Sequence, residues 1–203
     1  MGVSMEKRLL ITCFEPFAGR SSNTSMRLLG PLLASPPSGV LTRVLPVDFQ
    51  ALRRMVPRLI RTIRPRVWLM LGEEASGEKM RCERVAVNLV GGSVPDNKGV
   101  LGGGKVVRGG PAAYFTTLDP GRMVRHFASR SVPARLSDDA GTYACNLALY
   151  LALHHCRRHG EQTEVGFVHV PRTYRKTGQS LSELRSAVID LAQMLLADAH
   201  EAA

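Results

Sequence analysis

Five short apolar runs punctuate the chain, at residues 8–14 (RLLITCF), 40–47 (VLTRVLPV), 67–71 (VWLML), 84–90 (RVAVNLV) and 165–170 (VGFVHV). Their length and β-branched content predict strands. Elsewhere the period changes. Phe49, Leu52, Met55, Val56, Leu59, Ile60 and Ile63 step by three and four, which lines one face of a helix, with Pro57 as its expected kink. Leu184, Val188, Leu191 and Leu195 repeat the pattern, and Ser180 with Glu183 has capping-box spacing, so a second helix is expected over residues 181–198. Near-continuous apolar strands alternating with amphipathic helices predict an α/β fold. The expected form is a three-layer α/β/α sandwich with a largely parallel sheet, built as one domain from residues 1–203. Residues 91–110 break the alternation with many glycines and a PDN turn at 95–97, and are expected to form a long loop or a hairpin-like excursion.

Composition narrows the function classes. With 44% hydrophobic and 22% charged residues in 203, the chain can bury one sizeable core. No run approaches the roughly 18 apolar residues of a membrane span, and the N-terminus lacks a basic segment followed by an apolar one, so a cytoplasmic protein without membrane contact is expected. The four cysteines, Cys13, Cys82, Cys145 and Cys156, are too few and too scattered for a disulfide framework and read as free thiols. The net charge of +10 raises the question of nucleic acid. The basic residues are spread along the chain in runs no longer than two, and aromatic content is only 5%, so stacking surfaces are scarce and no nucleic-acid partner is expected.

Three groups of residues could carry chemistry. The segment GVLGGGKV at 99–106 comes close to a phosphate-binding loop, but Val106 cannot hold magnesium and a turn rather than a strand precedes it, so a flexible loop is the better reading. His154, His155, Cys156 and His159 include an i, i+4 histidine pair, but without the carboxylate of a zinc hydrolase; no metal or other cofactor is expected. The third group is centred on Cys145. A turn with Gly141 and Thr142 leads into a strongly apolar helical segment, which places Cys145 in or near the first turn. There the helix dipole and unpaired amides favour a thiolate and can hold an oxyanion, although a small buried cysteine would fit the same position. His169, near the end of an apolar strand closed by Pro171, can act as its general base, and a carboxylate elsewhere could orient the imidazole. Glu83 is one candidate, expected to open a strand; composition alone does not select it.

Six segments together resemble the pyroglutamyl peptidase I family of cysteine exopeptidases: LITCFEPFAG at 10–19, ERVAVN at 83–88, PDNKG at 95–99, GPAAYF at 110–115, AGTYACN at 140–146 and GFVHVP at 166–171. They run in family order over nearly the whole chain. The resemblance implies a triad of Cys145, His169 and Glu83, and a pyroglutamyl pocket lined by Phe14, Phe17 and Tyr143 with Asn23 beside it. It also implies the α/β/α fold, no cofactor, N-terminally pyroglutamylated peptides as substrates, and a homodimer or homotetramer in the cytoplasm. Apolar walls suit a neutral lactam and penalise a charged amino terminus. The sequence departs from the family at several points. GEEASG at 72–77 replaces the usual GQAGGR, bringing in Glu73 and Glu74; Ser93 stands where arginine is common, Cys13 where glycine is usual, and Thr24 where proline follows the asparagine. A carboxylate pair near the cleft would affect efficiency and the preference for the residue after pyroglutamate, but ordinary drift in a tolerant loop is the favoured reading.

Overall fold

The computed structural model describes residues 9–74, 77–172 and 178–201, with side chains to residue 197. The elements in chain order are β1 (Leu9–Phe14), α1 (Thr24–Ala34), β2 (Val40–Leu45), α2 (Phe49–Ile63), β3 (Val67–Glu74), β4 (Met80–Glu83), β5 (Val85–Val87), β6 (Ala113–Phe115), α3 (Pro120–Ser129), β7 (Ala134–Ser137), α4 (Ala144–His159), β8 (Glu164–Pro171) and α5 (Leu181–Glu201). Six strands form a mixed sheet in the order β2-β1-β3-β8-β4-β7. The first four run parallel; β4 pairs antiparallel with β8, and β7 runs parallel to β4.

The sheet separates two apolar layers, because alternate residues of each strand point to opposite faces. Leu9, Ile11, Leu69, Leu71, Val168 and Val170 face one layer, which α1, α3 and α5 cover. Leu10, Phe14, Trp68, Met70, Val165 and Phe167 face the other, covered by α2 and α4. This is the expected three-layer α/β/α arrangement. The apolar stripe of α2 buries Leu52, Val56 and Ile60, each contributing about 1.5–3 kcal/mol. Asp48 caps that helix through the Ala51 amide at 2.8 Å, and Pro57 lies within it. α4 is buried on nearly all sides, since α2, β8 and the small β5–β6 sheet surround it. The capping box of α5 forms in both directions: the Ser180 amide donates to Glu183 and the Glu183 amide donates to Ser180.

One predicted strand is corrected. Only Val85–Val87 of the 84–90 run is extended in a ladder, and it pairs with β6 outside the main sheet. The strand that enters the main sheet is β4, just before it. There Met80 and Cys82 join one core layer while Arg81 and Glu83 turn to the opposite face. Glu83 therefore closes a strand instead of opening one. The loop expected over residues 91–110 lies within the connection from β5 to β6, residues 88–112, which returns to the body of the protein through side-chain bonds: Asp96 accepts from the Phe49 amide at 2.9 Å, and Asn97 donates to Glu15 at 2.7 Å.

Candidate active site

Three adjacent strands place a row of residues on the face that α4 covers. Gly72 of β3 is in register with His169 of β8, and His169 is in register with Arg81 of β4. Cys145 approaches this row from above, as the second residue of α4. Its Sγ would lie 2.9 Å from a Cβ placed on Gly72, and the Phe167 ring would lie 2.7 Å from it, so only glycine leaves room for the thiol.

The start of α4 has an unusual cap. Tyr143 occupies the N-cap without a side-chain hydrogen bond, so no side chain among the described residues caps the first amides of the helix. These donors, beside Cys145, can receive an oxyanion. The turn before the helix is fixed by Gly141, with φ of +73°, whose amide donates to Asp139 Oδ1 at 2.8 Å. Asn146 turns away from the cleft and pins β5, accepting from the Val87 amide at 2.9 Å and donating to the carbonyls of Val87 and Leu89.

His169 is buried, and its Nδ1 donates to Glu83 Oε1 at 2.8 Å, while Glu83 is completely buried behind it. Burial alone would lower the imidazole pKa. The Cys145 side chain, by charge and hydrogen bond, and then Glu83 outweigh burial and raise it from 6.5 to about 9. The imidazolium is thus the stable form at neutral pH. The other three thiols are buried, and loss of solvation raises Cys13 and Cys82 to about 12 and Cys156 to about 11. Only Cys145 is partly exposed.

The cleft in front of Cys145 has a volume of about 350 Å³. Phe14, Phe17, Asn23 and Tyr143 all line it. Phe17 and Tyr143 meet with ring centroids 5.7 Å apart, and Phe49 backs Tyr143 edge-on at 5.4 Å. Tyr143 is fixed by its hydroxyl, which donates to the Pro95 carbonyl at 2.8 Å. The polar atoms of Asn23 are already engaged: Oδ1 accepts from the Ser25 amide and hydroxyl, capping α1, and Nδ2 donates to the Glu15 carbonyl.

The two acids at 73 and 74 do not form an unpaired carboxylate couple. They alternate along β3. Glu73 also lines the cleft but turns its carboxylate to the start of α1, where it pairs with Arg20 and accepts from the Thr24 amide at 2.6 Å. Thr24 stands where the family has proline, which lacks that donor, so the two departures compensate each other. Arg20 also lies over the Phe17 ring, 4.5 Å from its centroid. Glu74 turns to the cleft and pairs with Arg81. Ser93 is exposed and is not among the residues lining the cleft.

The other sequence candidates lie elsewhere. Residues 99–106 form neither helix nor strand. His154 pairs with the Tyr114 hydroxyl at 2.9 Å, and the rings of His155 and His159 lie 4.4 Å apart. Among the described residues no group of three or more His, Cys, Asp or Glu side chains is arranged to hold a metal. Arg81, Arg20 and Gly72 escaped the reading of the sequence as site residues, because their roles depend on neighbouring strands that contact order along the chain does not reveal.

A partly exposed thiol at a helix start, a buried histidine beneath it and a buried glutamate behind the histidine make the chemical arrangement of a thiol hydrolase. The comparisons specify which kind. The sequence pattern of the family described as Pyroglutamyl peptidase matches residues 7–191. A pyrrolidone-carboxylate peptidase of Thermococcus onnurineus is 37% identical over 81% of this chain and 83% of its own, and one of Bacillus velezensis is 32% identical over 97% and 95%. Among solved structures, a mutant pyrrolidone carboxyl peptidase from Pyrococcus furiosus superposes with a TM-score of 0.83 at 30% identity, covering 94% of this chain and 98% of that one. Pyroglutamyl peptidase I from Bacillus amyloliquefaciens gives 0.81 at 30% identity over 90% and 91%. This chain belongs to the pyroglutamyl peptidase family of hydrolases.

Proposed function

We propose that the protein removes pyroglutamate from peptide N-termini, with Cys145 as nucleophile, His169 as proton carrier and Glu83 as the orienting acid. The observation that carries this reading is the 2.8 Å bond from His169 to a fully buried Glu83, directly beneath the partly exposed thiol. His169 holds the proton of the pair, and the Cys145 thiolate attacks the carbonyl carbon joining pyroglutamate to the next residue. The first amides of α4 hold the oxygen that gains the charge. As the intermediate collapses, the carbon–nitrogen bond breaks and His169 protonates the departing amine. Water, giving a proton to the same imidazole, then cleaves the thioester and releases pyroglutamate.

Phe14, Phe17 and Tyr143 supply the apolar walls for the lactam ring, and Asn23 holds the α1 end of the cleft in shape. A substrate with a free ammonium would lose its hydration against these rings without a partner, which costs several kcal/mol. Hydrolysis of pyroglutamyl-coumarin amide, with prolyl- and glutamyl-coumarin amides as controls, tests the assignment. Selective turnover that falls by at least about 10³-fold in both Cys145→Ala and His169→Ala is expected. Equal turnover of the three amides, or full activity in Cys145→Ala, refutes it.

The same reading extends to assembly and compartment. Leu89, Val94, Val100 and Leu101 are each exposed on the 88–112 excursion, which supports a homodimer or homotetramer formed through that segment. Sedimentation as a monomer at micromolar concentration would contradict it. Four free cysteines, one of them the nucleophile, suit a reducing cytoplasm.

A further inference from the structure

Arg81 makes more polar contacts than any other side chain at the cleft, yet it belongs neither to the triad nor to the ring pocket. Its Nε lies 3.3 Å from Glu83 Oε1, the oxygen that also accepts from His169. Nε and Nη2 donate to Ser137 Oγ at 3.1 and 2.8 Å, Nη2 also donates to the Asp139 carbonyl, and Nη1 pairs with Glu74. Its side chain is only 13% exposed. One guanidinium therefore touches three structures whose relative positions the reaction needs: the acid behind the histidine, the turn that leads into the helix of the nucleophile, and the cleft-facing end of β3.

The energetic setting explains why such a group is required. Glu83 is fully buried, and its Oε2 has no hydrogen-bond partner among the described residues. A buried carboxylate held by one imidazole alone is poorly compensated, and a cation beside it restores the balance. The connection from β7 to α4 has its own constraints in Gly141 and Asp139, and Arg84 ties its outer side through the Ser137 carbonyl and Asp138; Arg81 fastens its cleft side to the sheet beside His169 through both Ser137 and Asp139. Lysine could not reproduce this, because a single ammonium lacks the planar fork that serves several acceptors at fixed angles. The ionisable groups around the imidazole are Cys145 from α4 and Glu83 from β4, with Glu74 from β3 linked through Arg81.

We infer that Arg81 is a positioning residue of the reaction, setting Glu83 against His169 and the 137–141 turn against the sheet at once. The inference rests on the assignment of Cys145, His169 and Glu83 made above. Without Arg81, Glu83 loses its cation and the turn loses its cleft-side tether, so the thiol and imidazole meet less well and their charged pair is less stable.

Arg81→Met and Arg81→Lys, each checked for native circular dichroism, test this by two readouts. The first is turnover of pyroglutamyl-coumarin amide, where kcat falls about 10- to 100-fold with KM changed less than about threefold, as expected for lost alignment rather than lost binding. The second is the pH dependence of Cys145 alkylation by iodoacetamide, whose acid midpoint moves upward in Arg81→Met because the thiolate is less well supported. In Arg81→Lys the retained cation returns the midpoint toward wild type while kcat stays low. If Arg81→Met does not fold, Arg81→Lys carries the test through kcat. An unchanged kcat, a change confined to KM, or a lower kcat in Arg81→Met with an unmoved alkylation profile overturns the inference. Alkylation needs no substrate. A wild-type protein that fails to turn over the amide, while the Arg81→Met midpoint still moves, would refute the proposed function and leave this role of Arg81 standing.

Discussion

At the scale of single residues, the site is a set of close approaches that tolerate little change. A methyl group at Gly72 would meet Sγ of Cys145 at 2.9 Å and the Phe167 ring at 2.7 Å. Gly72→Ala is therefore expected to cost about 1–3 kcal/mol in denaturant unfolding and to remove most of the activity through a displaced thiol. The charge state of His169 gives a second prediction. Because Cys145 and Glu83 raise its pKa to about 9, the alkaline limb of kcat/KM should fall near that pH. In Glu83→Gln one of the charges that raise it is gone, so the limb should move to lower pH; a profile identical to wild type would contradict the pairing. Cys145 and His169 were legible in the sequence because a glycine turn before an apolar helix and a histidine in an apolar strand are local signals. Glu83 was not selected by local pattern, since its burial comes from β8 and β4 meeting antiparallel, and only the family resemblance pointed to it.

At the scale of elements, the ends of helices and strands do the positioning. The N-terminus of α1 donates the Thr24 amide to Glu73, and Arg20 completes the carboxylate's partners. Proline is normally welcome at this first helical position, but here it would remove a donor from a buried carboxylate. Thr24→Pro is expected to destabilise the protein by about 1–3 kcal/mol, and by distinctly less in a Glu73→Gln background, where no charge is left short of a donor. Additive effects in that double-mutant cycle would contradict the coupling. The alternation of β3 also explains why the acidic pair at 73–74 does not act as a pair. Successive residues point to opposite faces, and each meets its own arginine. Sequence could show the two acids side by side but not the partners, which lie 53 and 7 residues away. The strand β4 was missed for a related reason: four residues, two of them charged, give little periodicity, and the neighbouring 84–90 run looked more strand-like than it is.

At the scale of the molecule, the strand alternation and helix periodicity carried the layer architecture, and the long parallel strands needed no tertiary information to be recognised. The reversed pair β4 and β7 at one side of the sheet did need it. The buried imidazolium also links the site to global stability. His169 is expected to bind its proton at about 6.5 when unfolded and at about 9 when folded, so between these values the folded state holds the extra proton. Its contribution to stability is complete below about pH 6.5, declines as pH rises and is gone above about pH 9. Urea unfolding of wild type and His169→Gln across that range should show a stability difference that shrinks with rising pH; a difference that grows would reverse the sign of the argument. The central claim is that the reaction passes through a thioester on Cys145. Acid-quenched intact-mass and peptide-mapping spectrometry during turnover of a pyroglutamyl-coumarin amide tests this directly. A pyroglutamyl adduct on the peptide containing Cys145, absent in Cys145→Ala, is the expected result, and hydrolysis that continues in Cys145→Ala would contradict it.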